Sequence, residues 1–386
     1  MLVLHLLPLA ILFFGEVSAD LHAGPFRIQF KRQSTKEYPP PNGKPLSAKQ
    51  LKPEWKAALD GAVKAGTIPD IPPSSLPAGG TPSYPAGTDM STVCSWSTDG
   101  CQGPNDIFRA PDNYVGISFD DGPTACSPRL NQFLLRNNIS ATRFLVGGQV
   151  ASMIEGFRDI MKDPNQQLAV HTYTHQRMTT LTNEQAVAEL GWTMQVILDE
   201  SGHLPSMWRG PYGDIDNRIR AIAEELLGLR HVSWNYDGKD WCFGHSAKHT
   251  ACPGMNPGRT KQSVRSYMDK ALSGPKSPGP LMLEHELSDT TVGFFERHTW
   301  RGIRKNGWKH ANIAEMLGVP WYANVTANAT PAANATATAN GTVSHKNKGR
   351  KKKKHSGGSK GGDDAASKTG RRILPEPLGP LPTQPV

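Results

Sequence analysis

The chain has only five cysteines in 386 residues, and Cys94, Cys101, Cys126, Cys242 and Cys252 fit no zinc-finger spacing. An odd count leaves at least one thiol unpaired within the chain. Cys94–Cys101 and Cys242–Cys252 would each close a short loop. Beyond the N-terminus no apolar run approaches ~18 residues, which excludes a multi-span membrane protein. There is no Gly-X-Y period and no sustained heptad, so collagen and coiled coil are excluded as well. Apolar residues make up 37%, below the ~45–50% of an ordinary globular chain, while there are 32 Pro and 38 Gly. Part of the chain is therefore expected to stay unpacked. A basic body is missing too. Residues 346–386 hold eleven Lys/Arg against three Asp/Glu, so most of the net +9 is a property of a tail and residues 1–345 carry only +1. Nothing in that balance demands a nucleic-acid-binding face.

Met1–Ala19 contains the apolar stretch Leu2–Gly15 and ends in Val17-Ser18-Ala19, a small-residue cleavage pattern. It reads as a signal peptide, too short to favour the alternative of an anchor helix. The expectation is a secreted protein, extracellular or associated with a cell wall, with no membrane span after cleavage. Five Asn-x-Ser/Thr sequons, at Asn138, Asn324, Asn328, Asn334 and Asn340, are glycosylation candidates consistent with that route. The C-terminus shows no hydrophobic tail of ~10–20 residues, so no GPI-type anchor is expected.

Four regions follow. After the signal peptide, residues 20–90 form a Pro-rich N-terminal extension with eleven prolines between Pro39 and Pro85. Trp55, Leu59 and Val63 recur at helical spacing between Pro53 and Gly66. This piece reads either as part of a linker or pro-segment or as a helix stapled to the back of the main domain. Residues 91–322 alternate candidate strands with candidate helices. The strands are Tyr114–Phe119, Thr142–Val146, Gln167–Val170, Met207–Arg209, His231–Asn235 and Pro280–Leu283. Between them Pro128–Asn137, Ala151–Lys162, Asn183–Ser201, Asp216–Leu227 and Thr260–Leu272 carry the helical period. That alternation predicts an α/β fold with a parallel sheet, open or closed into a barrel. Residues 323–386 combine an Asn/Ala/Thr tract, the basic block Lys346–Lys354, a Gly-rich stretch and a Pro-rich end. This tail is expected to be disordered, and the N-terminal extension likewise.

The polar residues at the strand ends carry the functional signal, since α/β sites lie at the carboxyl ends of strands. The first strand delivers Asp120-Asp121 before Gly122-Pro123. Two adjacent carboxylates suit a site where one binds a metal and the other accepts a proton. The third delivers His171-Thr172-Tyr173-Thr174-His175, two imidazoles four apart that can meet at one metal. A second such pair, His245 and His249, lies in a Gly/Lys-rich loop between two cysteines and lacks the preceding apolar run. The helical zinc-protease motif fails, because Thr172 stands where its Glu would be. Arg209-Gly210-Pro211-Tyr212-Gly213 offers a guanidinium for a carboxylate and a turn whose N–H can meet an oxyanion. Asp237-Gly238-Lys239-Asp240-Trp241 and Leu283-Glu284-His285-Glu286 end the next two strands.

The order and spacing of SFDDGP, HTYTH, RGPYG, DGKDW and LEHE resemble the five motifs of the polysaccharide deacetylases, the NodB-homology carbohydrate esterases, over residues ~91–322. Within that family the flanks Trp55…Pro69-Asp70-Ile71-Pro72 and Gly318…Trp321-Tyr322-Ala323-Asn324 look most like secreted fungal chitin deacetylases. The resemblance implies a distorted (β/α)₇ barrel. It also implies a metal triad of Asp121, His171 and His175, usually Zn²⁺ with Co²⁺ or another divalent ion possible. Asp120 would be the general base, oriented by Arg209, and His285 the general acid, tuned by Asp240. Tyr212 would give its backbone N–H to the oxyanion, and Trp241 and Leu283 would shape the acetyl pocket. The implied reaction is N-deacetylation of chitin or partly acetylated chitosan to chitosan and acetate. The alternatives are an O-acetyl esterase on xylan, a peptidoglycan deacetylase, or a catalytically silent wall-glycan binder. Gly210, Gly238 and Arg143 depart from the usual family residues, which puts cleft shape in question. The basic block Lys346–Lys354 is read as a solvated spacer or as a contact for an acidic cell-wall polymer.

Overall fold

The computed structural model describes residues 24–77, 80–243 and 261–324. These all fall in the first of two compact units into which the chain divides. The signal-peptide residues, most of the tail, the basic block, His245, His249 and the sequons at Asn328, Asn334 and Asn340 lie outside the described residues.

Seven strands form one parallel sheet. They are β1 (Ser118–Gly122), β2 (Ala141–Leu145), β3 (Gln166–Val170), β4 (Met207–Trp208), β5 (Arg230–His231), β6 (Tyr236–Asp237) and β7 (Met282–His285). Their spatial order is β5-β4-β3-β2-β1-β7-β6. β1 to β3 are buried on both faces, as strands covered by crossover helices must be. The two edge strands, β5 and β6, are consecutive in the chain, so residues 232–235 close the ring covalently where no ladder does. Hydrogen bonds tie this closing segment to the chain on either side of it. Val232 N–H reaches Trp208 O at 2.8 Å, and the Asn235 amide accepts Leu281 N–H at 2.7 Å and donates to Gly279 O at 3.1 Å. The result is the distorted (β/α)₇ barrel expected from the resemblance. Its inner floor is apolar, built from Phe144, Ala169, Met207, Val232 and Leu281 of successive strand segments.

The strand ends are level, and this places the site. Asp120 pairs with Phe144 and with His285, Val170 with Trp208, and Asp237 with Leu283. Asp120, His171, Arg209, Asp237 and His285 therefore emerge around one rim.

Helix α1 (Pro53–Lys64) belongs to the N-terminal extension, while α2 (Ser127–Asn137), α3 (Asn183–Ser201) and α4 (Lys261–Ser273) cover the barrel. Helix α3 begins with a Thr182/Gln185 capping box and ends at Gly202, whose φ of 79° needs a glycine. It is buried almost all round because α1 lies on its outer side. Trp55 packs edge-on against Trp192 at 5.4 Å between ring centroids. A Cβ at Gly191 would lie 2.6 Å from the Trp55 ring. A mid-helix glycine costs about 1 kcal/mol against alanine. Burying an indole is worth on the order of 4–6 kcal/mol, so the close approach wins.

The expectation of a disordered N-terminal extension is corrected over residues 24–77. Ile28, Phe30, Leu46, Leu51, Trp55, Leu59, Ala62, Ile68 and Ile71 are all buried. Buried polar groups of α3 fasten the same stretch: Asp199 accepts Gln33 N–H at 2.8 Å, and Gln195 donates to Lys31 O at 2.9 Å. Of the two readings left open for α1, the stapled helix holds. Other expectations shift by less. Tyr114–Phe119 splits into Tyr114–Gly116 and β1, and β1 continues through the Asp pair to Gly122. The stretch read as one strand over His231–Asn235 is β5 plus the closing segment, and β6 follows it. Residues 289–305, not assigned from the sequence, are helical throughout. Cys94–Cys101 is a disulfide, Cys126 is a free thiol, and Cys242 is disulfide-bonded; Cys252, the partner expected from the sequence, lies outside the described residues. Among the described residues no helix is long and apolar enough to cross a membrane. Asn138 caps α2 in left-handed backbone and is exposed, as is Asn324.

Candidate active site

Asp120 and Asp121, adjacent in β1, point to different tasks. Asp120 is buried, and its Oδ1 accepts Arg209 Nη1–H at 2.6 Å. Arg209 is wholly buried at the end of β4, over the Phe144 ring at 4.1 Å. The same Nη1 reaches Ser118 Oγ at 2.9 Å, and the guanidinium donates to the carbonyls of Val232 and Ser233. The contact to Asp120 uses one guanidinium nitrogen. It leaves Asp120 Oδ2 turned toward His171, whose Nε2 is 3.7 Å away.

Asp121 has φ 72°, a left-handed conformation that turns its carboxylate toward the imidazoles. Its Oδ1 lies 3.0 Å from His175 Nε2 and 3.4 Å from His171 Nε2. His171 Nδ1 is 2.9 Å from the Arg209 carbonyl, which can only accept. In the neutral imidazole the proton therefore sits on Nδ1, which leaves the Nε2 lone pair facing Asp121. Among the described residues this is the one cluster of three such ligands, with ligand atoms within 4.8 Å of one another. Asp121 Oδ1 is buried without a hydrogen-bond partner, an orphan that a cation would satisfy. Two imidazoles and one carboxylate with further positions open fit a catalytic divalent ion such as Zn²⁺ or Co²⁺. Burial opposes charge on Asp121, but the imidazoles of His175 and His171 outweigh it and hold the carboxyl well below its usual range.

On the strand next to β1, His285, the last residue of β7, sets its Nδ1 2.8 Å from Asp240 Oδ1. Its backbone N–H donates to Asp240 Oδ2 at 2.7 Å. This leaves Nε2 for the cavity. Burial works against the imidazolium, yet Asp240, with Asp121 and Asp120 behind it, raises the His285 pKa to about 10. Burial pushes the Asp240 carboxyl upward while His285 pulls it down. The two hydrogen bonds it accepts assign the shared proton to the imidazole.

The remaining rim is shaped by turns. Tyr212 sits at φ 60°, and the turn's own hydrogen bonds run from Gly213 N to Gly210 O and from Asp214 N to Pro211 O, both 3.0 Å. The Tyr212 N–H takes no part in them. Its ring meets His175 edge-on at 4.9 Å and lies under Arg177. Trp241 donates to Asp237 at 3.2 Å, and Asp237 also holds Lys239 Nζ at 2.6 Å.

All ten expected catalytic, metal and pocket residues are brought together. Asp120, Asp121, His171, His175, Tyr212, Trp241, Leu283 and His285 line one cleft, with Arg209 and Asp240 directly behind it. Trp234, Lys239 and Leu287 line it too and were missed. Trp234 lay inside an expected strand, and Leu287 follows the last motif. Of the three departures, only Gly210 reaches the cleft. Arg143 is fully buried and pairs with the Glu286 carboxylate beneath the Asp-Asp-Gly turn. A Cβ at Gly238 would press on the Glu284 carboxyl at 2.9 Å, so the glycine makes room for that side chain.

A family model described as polysaccharide deacetylase matches residues 109–232. Chitin deacetylase 3 of Cryptococcus neoformans var. neoformans is 41% identical over 251 residues, 64% of this chain and 58% of that protein. Chitin deacetylase 1 of Cryptococcus neoformans var. grubii is 32% identical over 298 residues, 73% of this chain and 59% of that protein. The chain thus spans about three-fifths of the length of these relatives. The solved chitin deacetylase of Colletotrichum lindemuthianum aligns with a TM-score of 0.49 at 21% identity, covering 56% of this chain and 95% of that one. With the match running through the strands that bear Asp120, Asp121, His171, His175 and Arg209, this chain carries a polysaccharide deacetylase domain.

Proposed function

We propose that the protein is a secreted, metal-dependent N-deacetylase that hydrolyses the acetamide of N-acetylglucosamine units in chitin or partly acetylated chitosan. One observation carries the reading. A proton acceptor, Asp120 on Arg209, and a proton donor, His285 on Asp240, line one cleft together with the Asp121–His171–His175 cluster. The chitin deacetylases among its relatives support the substrate.

A divalent ion on Asp121, His171 and His175, Zn²⁺ in the first instance, supplies Lewis-acid polarisation and a water of lowered pKa. The chain's own residues do the rest. Asp120 takes a proton as water attacks the acetyl carbon, and Arg209 fixes which oxygen is free to do so. The Tyr212 N–H, unused in its turn, faces the developing oxyanion. His285 gives its proton to the amine as the C–N bond breaks, leaving acetate and a glucosamine unit. Trp241 and Leu283 bound the space for the acetyl methyl. The basic block Lys346–Lys354 is proposed to hold the enzyme on acidic wall polymers.

Acetate release is the test, measured in parallel on chitin oligomers, partly acetylated chitosan and acetylated xylan with added Zn²⁺. Release from the amino sugars is the expected result. Release from xylan alone would replace the N-deacetylase reading with an O-esterase. Binding of these glycans with no release from any would replace it with a silent glycan binder.

A further inference from the structure

His171 and His175 stand four residues apart, yet they are not on a helix. They bracket a loop in which Thr172 (φ 62°) and His175 (φ 58°) both take left-handed backbone. Residues with a Cβ keep that conformation only when their surroundings impose it. The two residues between them, Tyr173 and Thr174, are held by Glu189 on α3, which is fully buried and lies outside the cleft. Its Oε2 accepts the N–H groups of Tyr173 at 2.9 Å and Thr174 at 2.7 Å, and its Oε1 accepts the Thr174 hydroxyl at 2.6 Å. The fourth donor comes from the N-terminal extension: Leu46 N–H reaches Oε1 at 2.9 Å. The same extension takes the Tyr173 hydroxyl, which donates to the Pro39 carbonyl at 2.6 Å. On the far side, Gly147 and Gly148 N–H groups hold the Thr172 and Tyr173 carbonyls, both at 2.9 Å.

We propose that Glu189, together with the Pro39 and Leu46 contacts of the N-terminal extension, is a positioning clamp for the His171–His175 loop, so that the extension sets the affinity of the metal site. The inference rests on the metal reading given above and adds a role for α3 and for the extension. Three of the four Glu189 contacts are to the loop between the ligands, and the remaining one ties that carboxylate to a segment more than a hundred residues away in sequence. Two ligand imidazoles bind one ion well only when held close to the productive geometry. Loss of groups that orient ligands costs about 10–100-fold in metal affinity. Glu189→Gln keeps the volume but removes two acceptor positions. Whichever way the amide turns, its NH₂ faces at least one backbone N–H.

The test is the Zn²⁺ dissociation constant of the full chain, by competition with a chromophoric chelator, beside the metal-free melting temperature and the Co²⁺ absorption spectrum. Glu189→Gln is expected to weaken Zn²⁺ binding by about 10–100-fold and to shift the Co²⁺ bands. Tyr173→Phe, which removes only the hydroxyl bond to Pro39, is expected to weaken it about three- to tenfold, the worth of one buried hydrogen bond. Folded variants that bind as the parent does, even with a lowered melting temperature, overturn the clamp and leave Glu189 a structural residue. If Glu189→Gln does not fold, Tyr173→Phe decides alone on the same terms. A parent chain that binds neither Zn²⁺ nor Co²⁺ overturns the metal reading and the clamp with it, which separates the two failures.

Discussion

Asp120→Asn is expected to lower turnover on N-acetylglucosamine oligomers by about 10²–10⁴-fold, the usual worth of a general base, while Zn²⁺ affinity stays within a few-fold of the parent. The amide is isosteric and its oxygen can still accept Arg209 Nη1–H, so the fold and the guanidinium contact survive. What is lost is the proton acceptor at Oδ2, on the side of His171. Asp121→Asn should behave in the opposite order, since it removes charge from the ligand set: metal affinity falls first and activity follows. Steady-state rates and metal titration on both variants check the assignment. A drop of less than tenfold in Asp120→Asn would move the base elsewhere. An equal loss of metal and rate would make Asp120 a ligand.

The second large effect is on pH dependence. His285 must be protonated to serve the leaving amine, and the Asp240 carboxylate at 2.8 Å is the strongest of the groups raising its pKa to about 10. Because a facing carboxylate favours the imidazolium, removing it lowers the pKa. The protonated fraction is then lost at lower pH, and the alkaline limb of kcat/KM moves toward acid. A cation on Asp121 offsets one of the other supporting charges, so the parent's limb should fall below about 10 and above the usual histidine value of 6.5. Asp240→Asn should shift that limb downward by about one unit or more and lower the maximum, with the acid limb unmoved. The full pH–rate profile of both proteins is the measurement. A limb that stays in place in the variant would remove Asp240 from the tuning of His285.

Much of this site was legible in the sequence because each reactive residue closes an apolar strand. Leu168-Ala169-Val170 before His171 and Met207-Trp208 before Arg209 mark both the strand and its carboxyl end. The parallel register then converts five separate motifs into one rim. The supports were less visible because they are non-local. Glu189 sits in the largely apolar run of α3, where a buried carboxylate is costly without partners. Its isolation there, together with Gln195 and Asp199, was a signal that went unread. Their partners Leu46, Lys31 and Gln33 lie in a Pro-rich stretch whose composition suggests an unpacked lead. Proline density reports backbone stiffness, and the periodic Trp55 and Leu59 were the better guide to packing. Arg143 illustrates the converse error. An unusual residue beside a motif was read as a change in cleft shape, whereas its guanidinium points beneath the Asp120–Gly122 turn and neutralises Glu286.

The central claim is that amide hydrolysis depends on an ion held by Asp121, His171 and His175. Its most direct test is the release of acetate and free amine from a chitin oligomer by the metal-stripped full chain, followed while Zn²⁺ is added back. The account predicts negligible release at the start, one acetate for each new amine, and activity saturating at one Zn²⁺ per chain. Undiminished release from a chain shown to be free of metal, or saturation with no activity, would contradict it.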